Sequence, residues 1–284
     1  MCATLSLIPP CMGNSEADLP WLLGGHMRQQ TRRFADFHTH SRGQIFGITY
    51  GVMSIRTDEA YWLIGPGQAV WLPPHLRHMA RSHGAIRGWS LFIDEARSTA
   101  LPVQPFLVRG TPLLIAQAER LSHCSSAKSW SDVVARLAES FWDEFLPLPR
   151  ASVSLPFPKD ERLRRVADAL SENPADVREQ QEWAIVASMS VRSFVRYFGV
   201  ETGMPFTAWR QRLRILNAQE RLARGERVTS VARNVGYESP GAFAALFRKI
   251  TGHSPAAYIK LCSERNILRI CEQSICQEKN YELS

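Results

Sequence analysis

Three histidines and a glutamine in the first third of the chain have types and spacing that suit a metal or small-molecule site. His38 and His40 are separated by one residue, Gln44 follows four residues later, and His78 comes after a proline-rich segment. In a β-strand, residues i and i+2 point to the same side, so His38 and His40 can converge on one point. Imidazole nitrogens bind divalent transition metals. The same side chains could instead hydrogen-bond within their own domain or line a pocket for an organic ligand, and the sequence leaves these alternatives open.

Two arginines in the last third of the chain are placed to contact nucleic acid. Arg192 and Arg196 lie one helical turn apart, on a segment where Ser190 can cap a helix by accepting a hydrogen bond from the amide of Ser193. Arginines on an outward face can bond bidentately to guanine or bind phosphates. A surface salt bridge, for example to Glu201, is the alternative. The inward side of this helix is predicted to consist of Phe194, Tyr197 and Phe198.

A second helix near residue 245 has a different outward face. Ser239 and Pro240 form a strong helix start. The outward side carries small residues followed by two cations, and its members are Gly241, Ala245, Arg248 and Lys249. The inward side is apolar and consists of Phe243, Leu246 and Phe247. This outward face offers few hydrogen-bond donors to bases, but it can closely approach thymine methyl groups or the DNA backbone.

Each of these two helices follows a shorter helix and a tight turn, as in a helix-turn-helix unit. The turns are predicted at Ser188-Met189 and at Gly236, where a positive φ ends the preceding helix. Between the two units, the segment PFTAWRQRLRILNAQERLA predicts one helix of about 18 residues and about 27 Å. A rod of this length could hold two recognition helices near the ~34 Å repeat of successive major-groove faces.

The histidines lie in a region that predicts short strands. Between residues 34 and 93, segments rich in Ile, Val, Trp and Tyr alternate with turn residues and are interrupted by Gly47 and Gly51, which is typical of a small β-barrel or sandwich. Two helices are predicted to follow, TPLLIAQAERLSH and SDVVARLAESFWDEF, the second with a cap at Ser129 or Ser131. The second helix has a wide apolar stripe, which either packs on its own barrel or forms a dimer contact.

Length and composition are those of a two-domain globular protein. The 284 residues are 45% apolar and contain no run of 18 apolar residues, which excludes a largely disordered chain and a membrane-spanning helix. The net charge of +7 is concentrated between residues 159 and 260, where Lys and Arg number 17 against 11 Asp and Glu, whereas the rest of the chain has 17 against 16. Either an anionic partner or a solvated basic face explains this excess. The start of the chain has no basic region and no cleavage pattern, so no signal peptide is expected.

The six cysteines do not form a zinc or redox motif. They include no CxxC pair, and a content of about two per hundred residues fits a reducing cytosol. After Lys260 the tail predicts one more short helix, with Leu268, Cys271 and Ile275 on one side. Nothing near the tail cysteines lowers a thiol pKa, so redox sensing is not favoured.

The last third of the chain resembles the DNA-binding domain of AraC/XylS-type transcriptional regulators. The most specific part of the resemblance is VARxxGYxSxxxFxxxFRKxTGxSPxxY, which ETGMPFTAWRQRLR precedes. The resemblance implies an all-helical domain with two helix-turn-helix units that binds about two turns of promoter DNA. The residues that it implies as base contacts are Arg192, Val195, Arg196, Gly241, Ala242 and Ala245. Ser193 lies on the same surface as the first three. Because the second set is small and apolar, we expect the first unit to carry most direct readout and Arg248 and Lys249 to contact phosphates.

The strand-rich region resembles cupin domains, whose first motif has HxH followed by Glu and whose second has a proline-rich turn and a third His. Carried over position by position, this resemblance implies His38, His40 and His78 as ligands of a divalent metal, with Gln44 in place of the Glu. A neutral carbonyl binds a cation more weakly than a carboxylate does, so we expect weaker metal binding than in a complete site. One branch of AraC-type regulators carries a cupin-like sensor ahead of its helical domain, which is the order found here.

The sequence thus predicts an α+β multidomain protein. Its parts are a cupin-like β-barrel with flanking helices at residues 26–146, a proline-rich linker without helix or strand at 147–158, an all-α DNA-binding domain at 159–260 and an extension at 261–284. The predicted function is a cytoplasmic, sequence-specific regulator of transcription that binds double-stranded promoter DNA and responds to a small molecule in the barrel. We expect no catalytic residues, while a homodimer and a contact with RNA polymerase stay open. The alternatives are a metal-dependent cupin enzyme with an appended helical domain and an architectural DNA-binding protein without a ligand.

Overall fold

The structure, a computed structural model, describes residues 19–123, 130–151 and 154–262. The described strands are β1 (Leu22–Gln29), β2 (Phe34–His38), β3 (Gly43–Tyr50), β4 (Met53–Thr57), β5 (Ala60–Ile64), β6 (Gln68–Leu72), β7 (His78–Ser82), β8 (Ile86–Ile93), β9 (Phe106–Arg109), β10 (Arg150–Ala151) and β11 (Leu155–Pro156). The described helices are α1 (Glu95–Ser98), α2 (Pro112–Ser122), α3 (Asp132–Phe145), α4 (Glu161–Glu172), α5 (Gln180–Val186), α6 (Val191–Thr202), α7 (Phe206–Ala223), α8 (Val228–Asn234), α9 (Pro240–Thr251) and α10 (Pro255–Cys262). Ser129 and the tail helix predicted around Leu268, Cys271 and Ile275 lie outside the described residues.

The chain divides into two compact units. Among the described residues, the first contains residues 19–57, 64–123 and 130–151, and the second contains residues 58–63 and 154–262. The described part of the first unit is rich in strands and that of the second is mainly helical, which confirms the predicted α+β multidomain fold class. None of the described helices combines the length and the apolar character that crossing a bilayer requires.

The segment expected to be a linker is partly ordered as strand. β10 pairs antiparallel with β9, and β11 pairs antiparallel with β5. The side chains of Leu155 and Phe157 are buried, and Trp209 Nε1 donates a hydrogen bond to the carbonyl of Pro156 at 2.6 Å. Proline is tolerated in an edge strand because one side of such a strand needs no amide donor. The expectation of a segment without strands is therefore wrong.

In the first unit, the strands pair antiparallel in two sheets. One sheet has the order β1-β8-β3-β6-β9-β10, and in the other β7 lies between β4 and β2. The strands predicted between residues 34 and 93 are present, and side chains of α2 and α3 join those of the first sheet in one core. The prediction did not include β1, because LLGGHMRQ has two glycines and no β-branched residue. It forms a strand because its whole length pairs with β8.

Two glycines inside strands are sites of close approach rather than strand breaks. A Cβ at Gly47 would lie 2.3 Å from Trp89 Cζ2, and a Cβ at Gly24 would lie 2.2 Å from the carbonyl oxygen of Leu121. The indole of Trp89 therefore lies directly on the backbone of β3, and the end of α2 lies directly on β1. β3 continues through Gly47, so the expectation that this glycine interrupts the strand is wrong.

Helix α3 uses its apolar stripe inside the first unit. Ser131 caps the helix by accepting a hydrogen bond from the amide of Val134 at 3.4 Å. The ring of Phe141 packs edge-on against Trp89 with a centroid distance of 6.2 Å. The buried members of the stripe are Ala138, Phe141, Trp142 and Phe145. Of the two interpretations of the stripe, packing on its own barrel is the one that the structure supports.

The core of the second unit is built around aromatic side chains. The ring centroid of Phe198 lies 5.1 Å from that of Phe206 and 5.4 Å from that of Trp209, and Phe194 lies 4.9 Å from Phe206. Helix α7 has the predicted length of 18 residues, and it contacts α6, α8, α9 and α10. Tyr197 is 40% exposed, so the prediction that it faces inward with its phenylalanine neighbours is wrong.

The contact between Gly47 and Trp89 gives a stability test. Gly47→Ala should lower the free energy of unfolding of the first unit by about 1–3 kcal/mol, because the added Cβ must displace a ring that is 1% exposed. Gly65→Ala is the matched control, since its Cβ would meet only Gln68 Oε1, at 3.7 Å. Urea unfolding measures both variants, and equal midpoints would contradict the packing described.

Candidate nucleic-acid interface and histidine cluster

The first helix-turn-helix unit consists of α5 and α6, joined by a turn in which Ser188 has a φ of +53°. Ser190 caps α6, and its Oγ accepts a hydrogen bond from the amide of Ser193 at 3.2 Å, as predicted. At the other end, Gly203 adopts the left-handed conformation with a φ of +69° and ends the helix. Local backbone chemistry thus fixes both ends of α6.

The exposed side of α6 presents the predicted DNA-contacting residues. Arg192, Val195 and Arg196 are exposed, and Ser193 is half-buried in the first turn. The Arg196 guanidinium lies over the ring of Tyr197, 4.5 Å from its centroid. This cation–π contact explains the exposure of Tyr197, whose ring supports the guanidinium of an outward residue. Two guanidinium groups one turn apart therefore project from one capped helix.

The salt bridge considered as an alternative for these arginines is not formed. Within the described residues, neither Arg192 nor Arg196 pairs with a carboxylate. Glu201 instead accepts hydrogen bonds from the backbone amides of Lys159 and Asp160, at 2.7 and 2.9 Å. A carboxylate is favoured there because these amides lie at the N-terminus of α4. The charge of Glu201 is thus engaged elsewhere.

The second helix-turn-helix unit consists of α8 and α9. Gly236, with a φ of +84°, follows α8, and Ser239 caps α9 by accepting from the amide of Ala242 at 3.3 Å, both as predicted. Phe243 and Phe247 are buried, with ring centroids 5.6 Å apart. The residues assigned to the DNA side are all exposed, namely Gly241, Ala242, Ala245, Arg248 and Lys249. This side of α9 therefore has no hydrogen-bonding side chain before its last turn, where the two cations lie.

An arginine on α7 that the sequence alone does not single out connects the loop between α4 and α5 to the turn of the second helix-turn-helix unit. The guanidinium of Arg214 donates to the carbonyls of Pro174 and Asp176, at 2.9 and 3.1 Å, and to that of Gly236 at 3.2 Å. Pro174 and Asp176 lie between α4 and α5, whereas Gly236 lies between α8 and α9. One side chain thus bonds to the backbone of both halves of the helical unit.

Arg210, one turn earlier on α7, adds to this set of contacts. It donates to the carbonyls of Arg178, at 2.8 Å, and Asp176. Burial lowers the pKa of the Arg210 guanidinium, and the charge of Arg214 acts in the same direction. Tyr237 covers the other arginine, with its ring centroid 5.6 Å from the Arg214 guanidinium, and burial raises the pKa of its phenol. The available sequence signal was the i, i+4 spacing of the two arginines, which puts both on one side of a helix.

In the first unit, strand pairing brings the predicted metal-ligand residues together. His38, at the end of β2, is the cross-strand partner of His78, at the start of β7. His40 lies two residues beyond the end of β2, and Gln44 lies on β3 in the other sheet. The three imidazole centroids are 4.4, 5.1 and 6.0 Å apart, and one ring nitrogen from each histidine lies within 4.8 Å of the others. The cluster is therefore built from both sheets.

Hydrogen bonds fix which nitrogen of each imidazole carries a proton. In all three rings Nδ1 approaches a backbone carbonyl two residues away, at 2.7 Å for His38, 2.5 Å for His40 and 2.9 Å for His78. Because a carbonyl oxygen only accepts, each Nδ1 carries the proton, and Nε2 of neutral His38 and His78 then offers a lone pair, whereas His40 Nε2 already has a hydrogen-bond partner. Gln44 Oε1 lies 3.3 Å from His40 Nε2, and Gln44 Nε2 donates to Ser90 Oγ at 2.7 Å.

Burial favours the neutral form of two of these rings, those of His40 and His78. It lowers the pKa of His40, and it lowers the pKa of His78 to about 3. The buried Nε2 atoms of His38 and His78 have no hydrogen-bond partner among the described residues. Divalent transition metals bind imidazole nitrogens whose free lone pairs converge on one point. These residues thus fit the metal site that the cupin resemblance implies, with the Gln44 carbonyl in place of a carboxylate.

Cys262 is the tail-region cysteine that falls within the described residues. Its side chain is buried, and burial raises the pKa of its thiol to about 11. The group is therefore a thiol rather than a reactive thiolate at neutral pH. Cys271 lies outside the described residues.

Comparison with known proteins matches both parts of the chain. A model of a helix-turn-helix domain matches residues 183–261, and a model of an AraC-like ligand-binding domain matches residues 20–123. The HTH-type transcriptional regulator NimR of Escherichia coli (strain K12) is 28% identical over 222 residues, which are 78% of this chain and 81% of NimR. The HTH-type transcriptional regulator RipA of Corynebacterium glutamicum is 33% identical over 103 residues, which are 36% of this chain and 31% of RipA. The crystal structure of ToxT from Vibrio cholerae O395 matches 86% of this chain and 99% of its own, with 11% identity and a TM-score of 0.39.

The role of Arg214 as a connector can be tested by substitution. Arg214→Met keeps an apolar stem but removes the donors to three carbonyls, so the free energy of unfolding of the second unit should fall by about 3 kcal/mol. Arg214→Lys should recover little, because one ammonium cannot span three carbonyls. Arg212→Met, at an exposed position on the same helix, is the control. Urea unfolding followed by circular dichroism at a helical wavelength measures all three, and a common midpoint for the Arg214 and Arg212 variants would refute the role.

Proposed function

We propose that this chain is a transcriptional regulator of the AraC family that binds promoter DNA through α6 and α9, and that a small molecule in the barrel controls this binding. Its helical unit is a helix-turn-helix DNA-binding domain, and its strand-rich unit is a ligand-binding domain. The relatives are regulators rather than enzymes, which favours this function over a metal-dependent cupin enzyme. The match to a ligand-binding domain likewise favours it over an architectural DNA-binding protein without a ligand.

The observation that carries the DNA-contact proposal is the exposed pair of guanidinium groups on α6. Arg192 and Arg196 project from a helix that is capped at both ends, and no described carboxylate engages them. A guanidinium can bond to O6 and N7 of one guanine, so each arginine can distinguish a G·C pair from the others. We propose direct base contacts for both, with Ser193 and Val195 completing the same surface.

We propose a different role for α9. Its outward residues Gly241, Ala242 and Ala245 have no hydrogen-bonding side chain, so this helix can approach DNA closely without hydrogen-bonding to bases. Arg248 and Lys249 are exposed in its last turn and are proposed to contact phosphates. The first helix-turn-helix unit then carries most of the sequence readout, and the second contributes affinity and register.

The remaining partners are proposed on the same basis. We place the protein in the cytoplasm, because it must reach promoter DNA. A homodimer and a contact with RNA polymerase stay predictions. A dimer would need a surface other than the stripe of α3, because that stripe packs into the core of its own unit.

Arg196→Ala tests direct readout. DNA fragments are first selected from genomic DNA with the purified protein, and the affinity for the best fragment is then measured by fluorescence anisotropy. The variant should lose about 1–3 kcal/mol on the selected site, roughly 5- to 150-fold in Kd, and should tolerate a change at one base pair. Arg196→Lys keeps the charge but not the planar fork, so it should lose the same discrimination while keeping the salt dependence.

Arg165→Ala is the matched control, because it removes one exposed arginine from α4 in the same unit. Its affinity for the selected site should stay within roughly twofold of the unchanged protein, since an exposed charge off the contact surface is screened. Equal losses for Arg165→Ala and Arg196→Ala would make the assignment of α6 wrong. Failure to select any fragment at low ionic strength would make the function itself wrong.

Lys249→Ala tests the phosphate role of α9. Loss of one phosphate contact means that one counterion fewer is released on binding. Affinity should therefore fall by a similar factor on selected and unrelated DNA, and the slope of log K against log salt concentration should shrink by about 1. The measurement is a salt titration on both fragments. A loss confined to the selected site would show that Lys249 contributes to sequence readout instead.

A further inference from the structure

We propose that Tyr197 is a positioning residue for Arg196, and that its ring holds the guanidinium in the orientation in which the N–H groups bond to one base pair of the promoter. Tyr197 thereby sets how strictly α6 reads the DNA sequence. This inference rests on the proposed function. It deepens that function by naming a residue that reads no base itself but on which the readout by Arg196 depends.

The first argument is that helix geometry alone does not bring these two side chains together. Adjacent side chains on an α-helix diverge by about 100° and do not face each other. The guanidinium carbon of Arg196 nevertheless lies 4.5 Å from the centroid of the Tyr197 ring. The arginine side chain therefore turns sideways along the surface of α6, and its contact with the ring fixes where the guanidinium lies.

The second argument is that a guanidinium lying over a ring keeps its hydrogen-bonding edge available. The five N–H groups of a guanidinium lie in its plane, whereas an aromatic ring contacts the face of that plane. Bonding to a guanine uses two neighbouring N–H groups of the edge. Arg196 can therefore bond to O6 and N7 of a guanine and keep its contact with Tyr197 at the same time. The side chain then loses less conformational entropy on binding, because the ring already restricts it in the free protein.

The third argument is that the ring itself has neighbours that restrict it. Glu201, one turn after Tyr197 on the same side of α6, accepts hydrogen bonds from two backbone amides at the N-terminus of α4, at 2.7 and 2.9 Å. Close to these amides, the Arg162 guanidinium donates from Nε and Nη2 to Asp160, at 3.1 and 2.6 Å. The bond to Asp160 raises the pKa of Arg162 most, and Tyr197 and Glu201 act in the same direction, so the phenol lies near this guanidinium. The ring thus has both Arg196 and the start of α4 as neighbours, although Tyr197 is 40% exposed.

The test is a double-mutant cycle on the full-length protein. Its probes are the DNA fragment selected with the unchanged protein and a set of fragments that differ from it at one base pair each. Tyr197→Leu removes the ring but keeps an apolar side chain that favours a helix. It should raise Kd for the selected fragment by about two- to fivefold, the range expected for an exposed cation–π contact. Discrimination should fall only at the base pair that Arg196→Ala also relaxes.

Three further variants separate positioning from other roles of Tyr197. Tyr197→Phe should restore nearly the full affinity and discrimination, because a phenylalanine ring also binds a cation on its face. In the Arg196→Ala background, Tyr197→Leu should cause no further loss, since no guanidinium remains to be positioned. In the Arg192→Ala background it should cause its full loss, because residues five apart lie about 140° apart around the axis of a helix. A folding defect would instead lower the affinity in every background and on unrelated DNA as well.

A second measurement needs no DNA. In the free protein, the ring current of Tyr197 should shift the side-chain proton resonances of Arg196 upfield in the NMR spectrum. These resonances are assigned by their absence from the spectrum of Arg196→Ala, and Tyr197→Leu should remove the shift.

The outcomes separate this inference from the proposed function. When Arg196→Ala relaxes one base pair, three results would each overturn the positioning role alone. They are equal losses for Tyr197→Leu with and without Arg196, equal losses for Tyr197→Leu and Tyr197→Phe, and a missing upfield shift. If Arg196→Ala relaxes no base pair, the readout that the proposed function assigns to α6 is wrong, and this inference is overturned with it.

Discussion

The two helices proposed to contact DNA can act together only when their relative positions are fixed, and the hydrogen bonds of Arg214 contribute to that constraint. Helix α7 sets a separation along its own axis, but a single helix does not prevent the elements packed on it from rotating about that axis. The hydrogen bonds from Arg214 to carbonyls of the α4–α5 loop and of the turn after α8 restrict this rotation, and Arg210 adds a second bond to the carbonyl of Asp176. Gly236 is part of the same arrangement, because a Cβ there would lie 2.8 Å from Arg214 Nη2. The glycine thus ends α8 and also makes room for the guanidinium.

In the first unit the corresponding constraint is strand register. His38 and His78 face each other because β2 pairs with β7 in one particular register, and a slip of one residue would turn one ring to the other side of the sheet. Gln44 comes from the other sheet, where its bond to Ser90 on β8 fixes the direction of its carbonyl. The close approach at Gly47 stabilises the pairing of β3 with β8, because the indole of Trp89 on β8 packs directly on β3. His38, His78 and Gln44 are therefore held by strands, and His40 lies in the short connection between β2 and β3.

Features with a local cause could be predicted from the sequence, and features that depend on distant residues could not. The caps at Ser190 and Ser239 follow from residues three positions apart, so they were predicted and are present. The grouping of His38, His40 and His78 could also be predicted, because the HxH spacing and the third histidine are a local sequence pattern. The role of Gly47 depends on a tryptophan on another strand, and the role of Arg214 depends on two turns that lie 40 and 22 residues away. Periodicity predicts which side of a helix is apolar, but it does not predict which backbone carbonyls will meet a buried arginine.

The charge of each unit bears on how an effector can act. In the helical unit, Arg210 and Arg214 are bonded to backbone carbonyls, so part of the basic excess between residues 159 and 260 holds the fold rather than attracting DNA. In the histidine cluster, the neutral Gln44 stands where the cupin pattern has a carboxylate, so the cluster lacks the one anionic donor of that pattern. A small molecule in the barrel can shift the affinity for DNA only as far as it binds one conformation of the protein more tightly than another, so its contacts must differ between the two conformations.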